Sequence, residues 1–222
     1  MTSPAVEDYL KAIFHLSGEG GAAGTSAVAE RLGVTAGSVT GMLKRLADQG
    51  FIEHVPYYGA RLTPSGMERA VATIRRHRII ELFLVEVLGY AWDEVHEEAE
   101  ALEHSASARL VESMSEVLGA PESDPHGAPI PAADGAFNER HYPSLAEIDT
   151  GTRAVLRRVS DEDAEALRYL AAMGMLPGTE IEVLERAPFE GPLRVRIGGK
   201  GGAEQVLGRR FAATLQVEPL TS

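Results

Sequence analysis

The chain has 222 residues, of which 44% are hydrophobic and 24% charged, a balance that excludes wholesale disorder and allows one large domain or two modest ones. It has no cysteine, which excludes disulfides, iron–sulfur clusters, thiolate zinc sites and a cysteine nucleophile. The formal net charge of −12 is unevenly spread: residues 1–78 carry +2, residues 79–149 carry −14, and residues 150–222 are neutral.

Residues 4–16 place Val6, Leu10, Ile13 and Phe14 at helical spacing, and the Gly-rich stretch 18–24 breaks that helix. Thr25-Ser26 offer an N-cap for a short helix through Leu32, ended by Gly33. A third helix is predicted over about Ala36–Gln49, with Val39, Met42, Leu43 and Leu46 on one face, and Gly50 closes it. Phe51–Val55 and Ala60–Thr63 read as strands around a Pro56-Tyr57-Tyr58-Gly59 turn. Long helical patterns follow over Pro64–Leu88 and Trp92–Leu118, the second with a break near Ser105. Five prolines between 119 and 144 mark a linker or an extended covering segment. Beyond it, Arg153–Val159, Glu180–Glu185, Leu193–Ile197 and Leu215–Glu218 look like strands, with one helix at about Asp161–Met173 and a turn at Leu176-Pro177-Gly178. The fold class is therefore mainly α for the first two-thirds, followed by a small all-β domain.

A short helix, a tight turn at Gly33-Val34-Thr35, a second helix and a hairpin form a helix-turn-helix with a wing. The first turns of the second helix are small and polar (Thr35, Ala36, Gly37, Ser38, Thr40), so backbone can approach a duplex closely. Lys44 and Arg45 on that helix, and Tyr57, Tyr58 and Arg61 on the wing, can reach phosphates. The plainer alternative is the ordinary surface of a small helical bundle. No Arg, Asn or Gln in the first turn makes strong bidentate base contacts, which leaves DNA shape and dimer spacing to carry specificity.

In the acidic middle, His77 and Glu81 are four residues apart on one helix, and His96, Glu100, Glu103 and His104 fall on one face of the next. Carboxylates and imidazoles so close favour a cation, and oxygen and nitrogen donors without sulfur suit Mn²⁺, Fe²⁺ or Zn²⁺, leaning to the harder ions. Asp93, Glu94, Glu97 and Glu98 read as a solvated face. The string His96–Glu100 lacks the second histidine of a zinc protease, and neither helix has the Glu-x-x-His of carboxylate-bridged bundles. His15, His54, His126 and His141 have no companions at ligand spacing and read as ordinary surface or loop residues.

These residues carry a resemblance. Met1–Phe14, the winged helix, Arg76–Glu81 and Val95–His104 look like the diphtheria toxin repressor family of metal-activated regulators. Asp124–Pro131 resembles that family's stretch after its dimerisation helices, and Arg168–Gly178 resembles the SH3-like barrel of its three-domain members, shared with ferrous-transport accessory proteins. The resemblance implies a primary metal site of Asp8, Glu100, Glu103 and His104, with Asp8 and Glu100 where manganese-responsive members have aspartate and glutamate. It implies a second site of His77, Glu81 and His96, to which the barrel adds Asp163 or, less well placed, Glu162. Lys11 stands where two-domain manganese-responsive members have glutamate, and Ala166 stands where an amide ligand belongs, so barrel docking through one remaining ligand is expected to be weak.

The expected protein is a homodimeric, metal-dependent transcriptional regulator, a repressor of metal-uptake genes and no enzyme. Its winged helix-turn-helix spans 1–72, a helical dimerisation and metal domain with the Pro-rich linker 73–143, and an SH3-like domain 144–222. Mn²⁺ is the preferred ion with Fe²⁺ possible, two sites per chain are expected, and the partners are a second copy and a palindromic operator in double-stranded DNA. Leu82, Phe83, Val85, Leu88, Leu110, Val111, Met114 and Leu118 are candidates for the dimer surface. The N-terminus lacks the features of a signal peptide and no window approaches a membrane span, so a soluble cytoplasmic protein with no membrane partner is expected. The alternatives are a carboxylate–histidine metalloenzyme or metal-storage protein, and a regulator that binds DNA regardless of metal.

Overall fold

The structure, a computed structural model, describes residues 3–17, 21–55, 57–137 and 140–220. Residues 18–20 of the Gly-rich break and Pro56 of the hairpin turn lie outside the described residues. The described chain divides into two compact units, the first comprising residues 3–77, 101–108 and 131–137 and the second most of the remainder.

In the first unit, α1 (Pro4–Ser17) buries Val6, Leu10 and Ile13 against a core that includes Val28 of α2 (Thr25–Leu32) and Val39, Leu43 and Leu46 of α3 (Ala36–Asp48). Gly33 ends α2 at φ 63°, a left-handed conformation in which its N–H returns to Ala29 and Glu30 carbonyls. The expected N-cap at Thr25-Ser26 is not used: Gly24 holds that position without a side-chain bond. Thr35 caps α3, its hydroxyl accepting from Ser38 N at 3.2 Å. Strands β1 (Ile52–Val55) and β2 (Gly59–Leu62) pair antiparallel to form the wing. Gly59, at φ 114°, could not be replaced there, since a Cβ would fall 2.0 Å from the Ala23 carbonyl oxygen.

Helix α4 (Pro64–Glu86) and helix α5 (Val95–Glu103) each contribute residues to both units, and α6 (Ala108–Val117) follows. The anticipated break falls after Glu103, where Ser105 and Ala106 N–H groups return to the Leu102 carbonyl.

The second unit holds β3 (Arg153–Arg158), α7 (Ala164–Ala172), β4 (Glu180–Arg186), β5 (Leu193–Ile197), β6 (Ala203–Leu207), α8 (Arg209–Ala212) and β7 (Gln216–Pro219). The sheet is wholly antiparallel in the order β6-β5-β4-β3-β7, with register shifts in the β3–β7 and β4–β5 pairs. Four of these strands were legible in the sequence. The fifth, β6, is an edge strand that buries only Leu207, so it lacks an alternating apolar signal.

Residues 124–130 of the Pro-rich stretch form a covering segment and not a free linker. Asp124 Oδ1 accepts from the backbone N–H groups of His126 and Ala128, each at 2.9 Å, and folds residues 124–128 into a tight turn. Gly127 at φ 86° lies so close to β3 that a Cβ would fall 1.8 Å from the Arg157 carbonyl oxygen, while Val159 N–H donates to the His126 carbonyl. Trp92 packs against the C-terminal core, and Arg168 pairs with Asp93 at 3.0 Å. Direct packing and backbone hydrogen bonds join the β-domain to residues 92–93 and 124–130, contacts that need no metal ligand.

Candidate metal centres and nucleic-acid interface

The first unit brings Asp8 of α1 together with Glu103, the last residue of α5, and His104, their ligand atoms lying within 4.8 Å of one another. His104 Nε2 is 2.7 Å from Asp8 Oδ1 and 3.4 Å from Glu103 Oε1. Its other nitrogen, Nδ1, lies 2.9 Å from Glu7 Oε2, and Arg76 donates to that same oxygen at 2.7 Å. A carboxylate on Nδ1 holds the imidazole with Nε2 toward Asp8, the arrangement that presents a ring nitrogen to an ion. Glu7 and Arg76 were not singled out in the sequence; a carboxylate one residue before Asp8 was the available signal.

Glu103 is fully buried, with His77 Nδ1 2.6 Å from its Oε2 and Lys11 Nζ 2.8 Å from its Oε1. Burial pushes its carboxyl pKa up, but the His77 hydrogen bond and the Lys11 charge outweigh that and hold it below the ordinary value. His77, expected in the second set, therefore makes its short contact with a member of the first. Glu100, expected in the first set, lies in the second unit with Oε1 3.9 Å from His96 Nε2.

In the second unit, His96 Nδ1 lies 3.4 Å from both Glu81 Oε1 and Asp161 Oδ2. Hydrogen bonds to Asp161 and then Glu81 push its pKa up to about 10. The β-domain carboxylate beside His96 is Asp161, where Asp163 or Glu162 was expected. Asp163 is the N-cap of α7, its Oδ1 accepting from Ala166 N at 3.1 Å, and Glu162 is exposed.

Glu81 also belongs to a wholly buried group with Asp124 and His126, a group the sequence did not reveal. His126, read from the sequence as an ordinary loop histidine, is 1% exposed. Its Nε2 lies 2.8 Å from the Trp92 carbonyl oxygen, which can only accept, so Nε2 carries the proton. Its other ring nitrogen, Nδ1, is a buried atom with no hydrogen-bond partner, 3.9 Å from Glu81 Oε2. Burial, then the Glu81 charge, pushes Asp124 up to about 6, with Arg78 opposing. An orphaned imidazole nitrogen beside two buried carboxylates fits a divalent cation.

The expected DNA-facing residues Thr35, Ala36, Gly37, Ser38 and Thr40 are exposed on the turn and first turns of α3, with Lys44 and Arg45 exposed farther along. On the wing, Tyr57 and Tyr58 are exposed, as is Arg61, whose Nε approaches the Gly21 carbonyl at 3.5 Å. Among the described residues no helix is long and apolar enough to cross a membrane. Of the expected dimer-surface residues, Leu88 and Leu110 are exposed while Val111 is buried.

Residues 1–60 match the iron dependent repressor N-terminal DNA binding domain, residues 63–132 the iron dependent repressor metal binding and dimerisation domain, and residues 144–219 the FeoA domain. The transcriptional regulator MntR of Salmonella typhimurium is 40% identical over 109 residues, covering 49% of this chain and 69% of that protein. The iron-dependent repressor IdeR of Mycobacterium tuberculosis is 29% identical over 224 residues, 96% of each. The solved structure of a manganese-dependent transcriptional repressor in complex with manganese aligns with a TM-score of 0.89 at 40% identity, over 97% of this chain and 100% of that one. That of the manganese regulator SloR aligns at 0.79 and 32% identity, over 99% and 100%. A winged helix followed by helices with carboxylate–imidazole clusters and an SH3-like domain defines a metal-dependent transcriptional regulator. The chain belongs to the iron-dependent repressor family.

Proposed function

We propose that this chain is a homodimeric, non-enzymatic repressor of metal-uptake genes, acting in the cytoplasm on a palindromic operator when Mn²⁺, or with lower preference Fe²⁺, is bound at two sites. The observation that carries this reading is the cluster of Asp8, Glu103 and His104. Asp8 belongs to the first helix of the winged domain, Glu103 ends the metal-domain helix and His104 directly follows it. A divalent cation supplies the positive charge that lets two carboxylates and an imidazole share one point. Asp8 then ties α1, and the recognition helix that shares its core, to α5. Glu100, one turn before Glu103 on the same helix, is proposed as a further ligand.

Glu81, Asp124 and His126, with His96 and Asp161, are proposed to hold a second ion. His126 presents Nδ1, and the Trp92 carbonyl fixes the tautomer. Hard oxygen and imidazole donors without sulfur favour Mn²⁺ over softer ions.

The test is operator binding, on DNA upstream of the protein's own gene, in chelated buffer with and without Mn²⁺. An increase of roughly 5–150-fold with metal, lost in Asp8→Ala, is expected from ordinary coupling energies. Equal affinity in both conditions would refute metal dependence. A metalloenzyme would show turnover and a storage protein would take up many ions per chain; either with no operator affinity would replace this reading.

A further inference from the structure

Glu103 has 0% side-chain exposure, and each of its oxygens faces a nitrogen: Oε2 faces His77 Nδ1 at 2.6 Å, and Oε1 faces Lys11 Nζ at 2.8 Å. Oε1 is also the oxygen nearer the first metal cluster, 3.4 Å from His104 Nε2. Lys11 follows Asp8 by three residues on α1, so the helix itself carries an ammonium beside the aspartate of the cluster. Its side chain is only 14% exposed, which limits the water available to screen its charge.

We propose that the Lys11 ammonium is a tethered cation of the first metal site: it neutralises Glu103 when no ion is bound, and it sets the ion's affinity by opposing it. The proposal rests on the metal reading of the Asp8, Glu103 and His104 cluster. Buried carboxylates without a counter-charge are costly, so a chain that spends time without metal needs another cation there. A lysine on the same oxygen meets that need. It also remains close to the ion once bound, and like charges at such a distance repel strongly in a poorly hydrated site. The consequence is a site whose half-saturation lies at a higher free metal concentration than its donor set alone would give. Lys11 therefore acts as a threshold-setting residue and not as a ligand.

The experiment compares the full-length chain with Lys11→Met, which keeps length and loses charge, and Lys11→Arg, which keeps charge. Mn²⁺ affinity is measured by isothermal titration, and the metal-free melting temperature is measured in chelator. Lys11→Met should bind Mn²⁺ at this site about tenfold tighter or more, and should melt lower when metal-free. Lys11→Arg should stay near the original in both. Unchanged or weaker Mn²⁺ affinity in Lys11→Met, with binding still abolished by His104→Ala, overturns the role of Lys11 and leaves the metal site standing. Mn²⁺ binding that His104→Ala does not reduce overturns the site itself, and the Lys11 role with it. If Lys11→Met fails to fold without metal, Lys11→Gln provides the same affinity comparison.

Discussion

Trp92 stacks on His126 with ring centroids 5.6 Å apart and planes inclined at 24°, and its own carbonyl fixes the proton on His126 Nε2. One residue thereby packs against the C-terminal core, sets the histidine's tautomer and lies against its ring. It is also the chain's one tryptophan.

A reporter is thereby built into the proposed second site. Mn²⁺ on His126 Nδ1 would be held on the ring against which the indole is stacked, and a paramagnetic ion quenches a fluorophore that close. Intrinsic fluorescence should fall on Mn²⁺ titration, and His126→Gln should abolish the response while Asp8→Ala retains it. A response equal in His126→Gln and the original chain would place the second ion elsewhere.

The buried Glu103 carboxyl should make the metal-free protein acid-sensitive. Its folded pKa lies below the ordinary 4.5, so its contribution to stability is present above 4.5 and is lost as pH falls through the lowered folded value. Melting temperature in chelator should drop as pH falls below about 4.5, and Glu103→Gln should flatten that dependence. The same slope in both proteins would assign the acid sensitivity to other carboxylates.

His96 should release a proton when its site fills. Asp161 and Glu81 raise its pKa to about 10, so it is protonated at neutral pH, and a metal-bound imidazole must be neutral. Titration calorimetry in two buffers of different ionisation enthalpy should reveal about one proton released, and none from this site in His96→Gln. Apparent affinity should rise with pH by up to about tenfold per unit. No proton release would remove His96 from the ligand set.

Operator binding should depend steeply on salt although the chain is acidic overall. Lys44, exposed on the recognition helix, would neutralise a phosphate in each protomer, and each such contact adds roughly −0.9 to the log–log slope. Lys44→Ala should flatten the slope by about two units per dimer and weaken all sequences alike. A loss of discrimination at one base pair would make Lys44 a base reader instead.

Local signals made much of this legible. Val39, Leu43 and Leu46 recur at helical spacing, and Gly33 supplies the left-handed turn before Thr35, so the winged helix follows from neighbours in the chain. The string from His96 to His104 falls on one helical face because the period is fixed at 3.6 residues. Which of three adjacent acids faces His96 was not legible. It depends on where α7 starts: Asp163 caps the helix and leaves Asp161 to turn toward the histidine.

The sequence by itself determined the helix-turn-helix with its wing, the family, and the acidic helices with histidines and carboxylates at i, i+4, i+7 and i+8. Those are consequences of backbone periodicity and capping, which act over a few residues. Tertiary structure alone decided other pairings across distance: Lys11 with Glu103, His104 with Glu7, and Asp124 and His126 with Glu81. None has a sequence signature, because each exists only where separate segments bury polar groups together. Once those groups leave water they must find counter-charges and hydrogen-bond partners, and the fold sets which ones lie within reach.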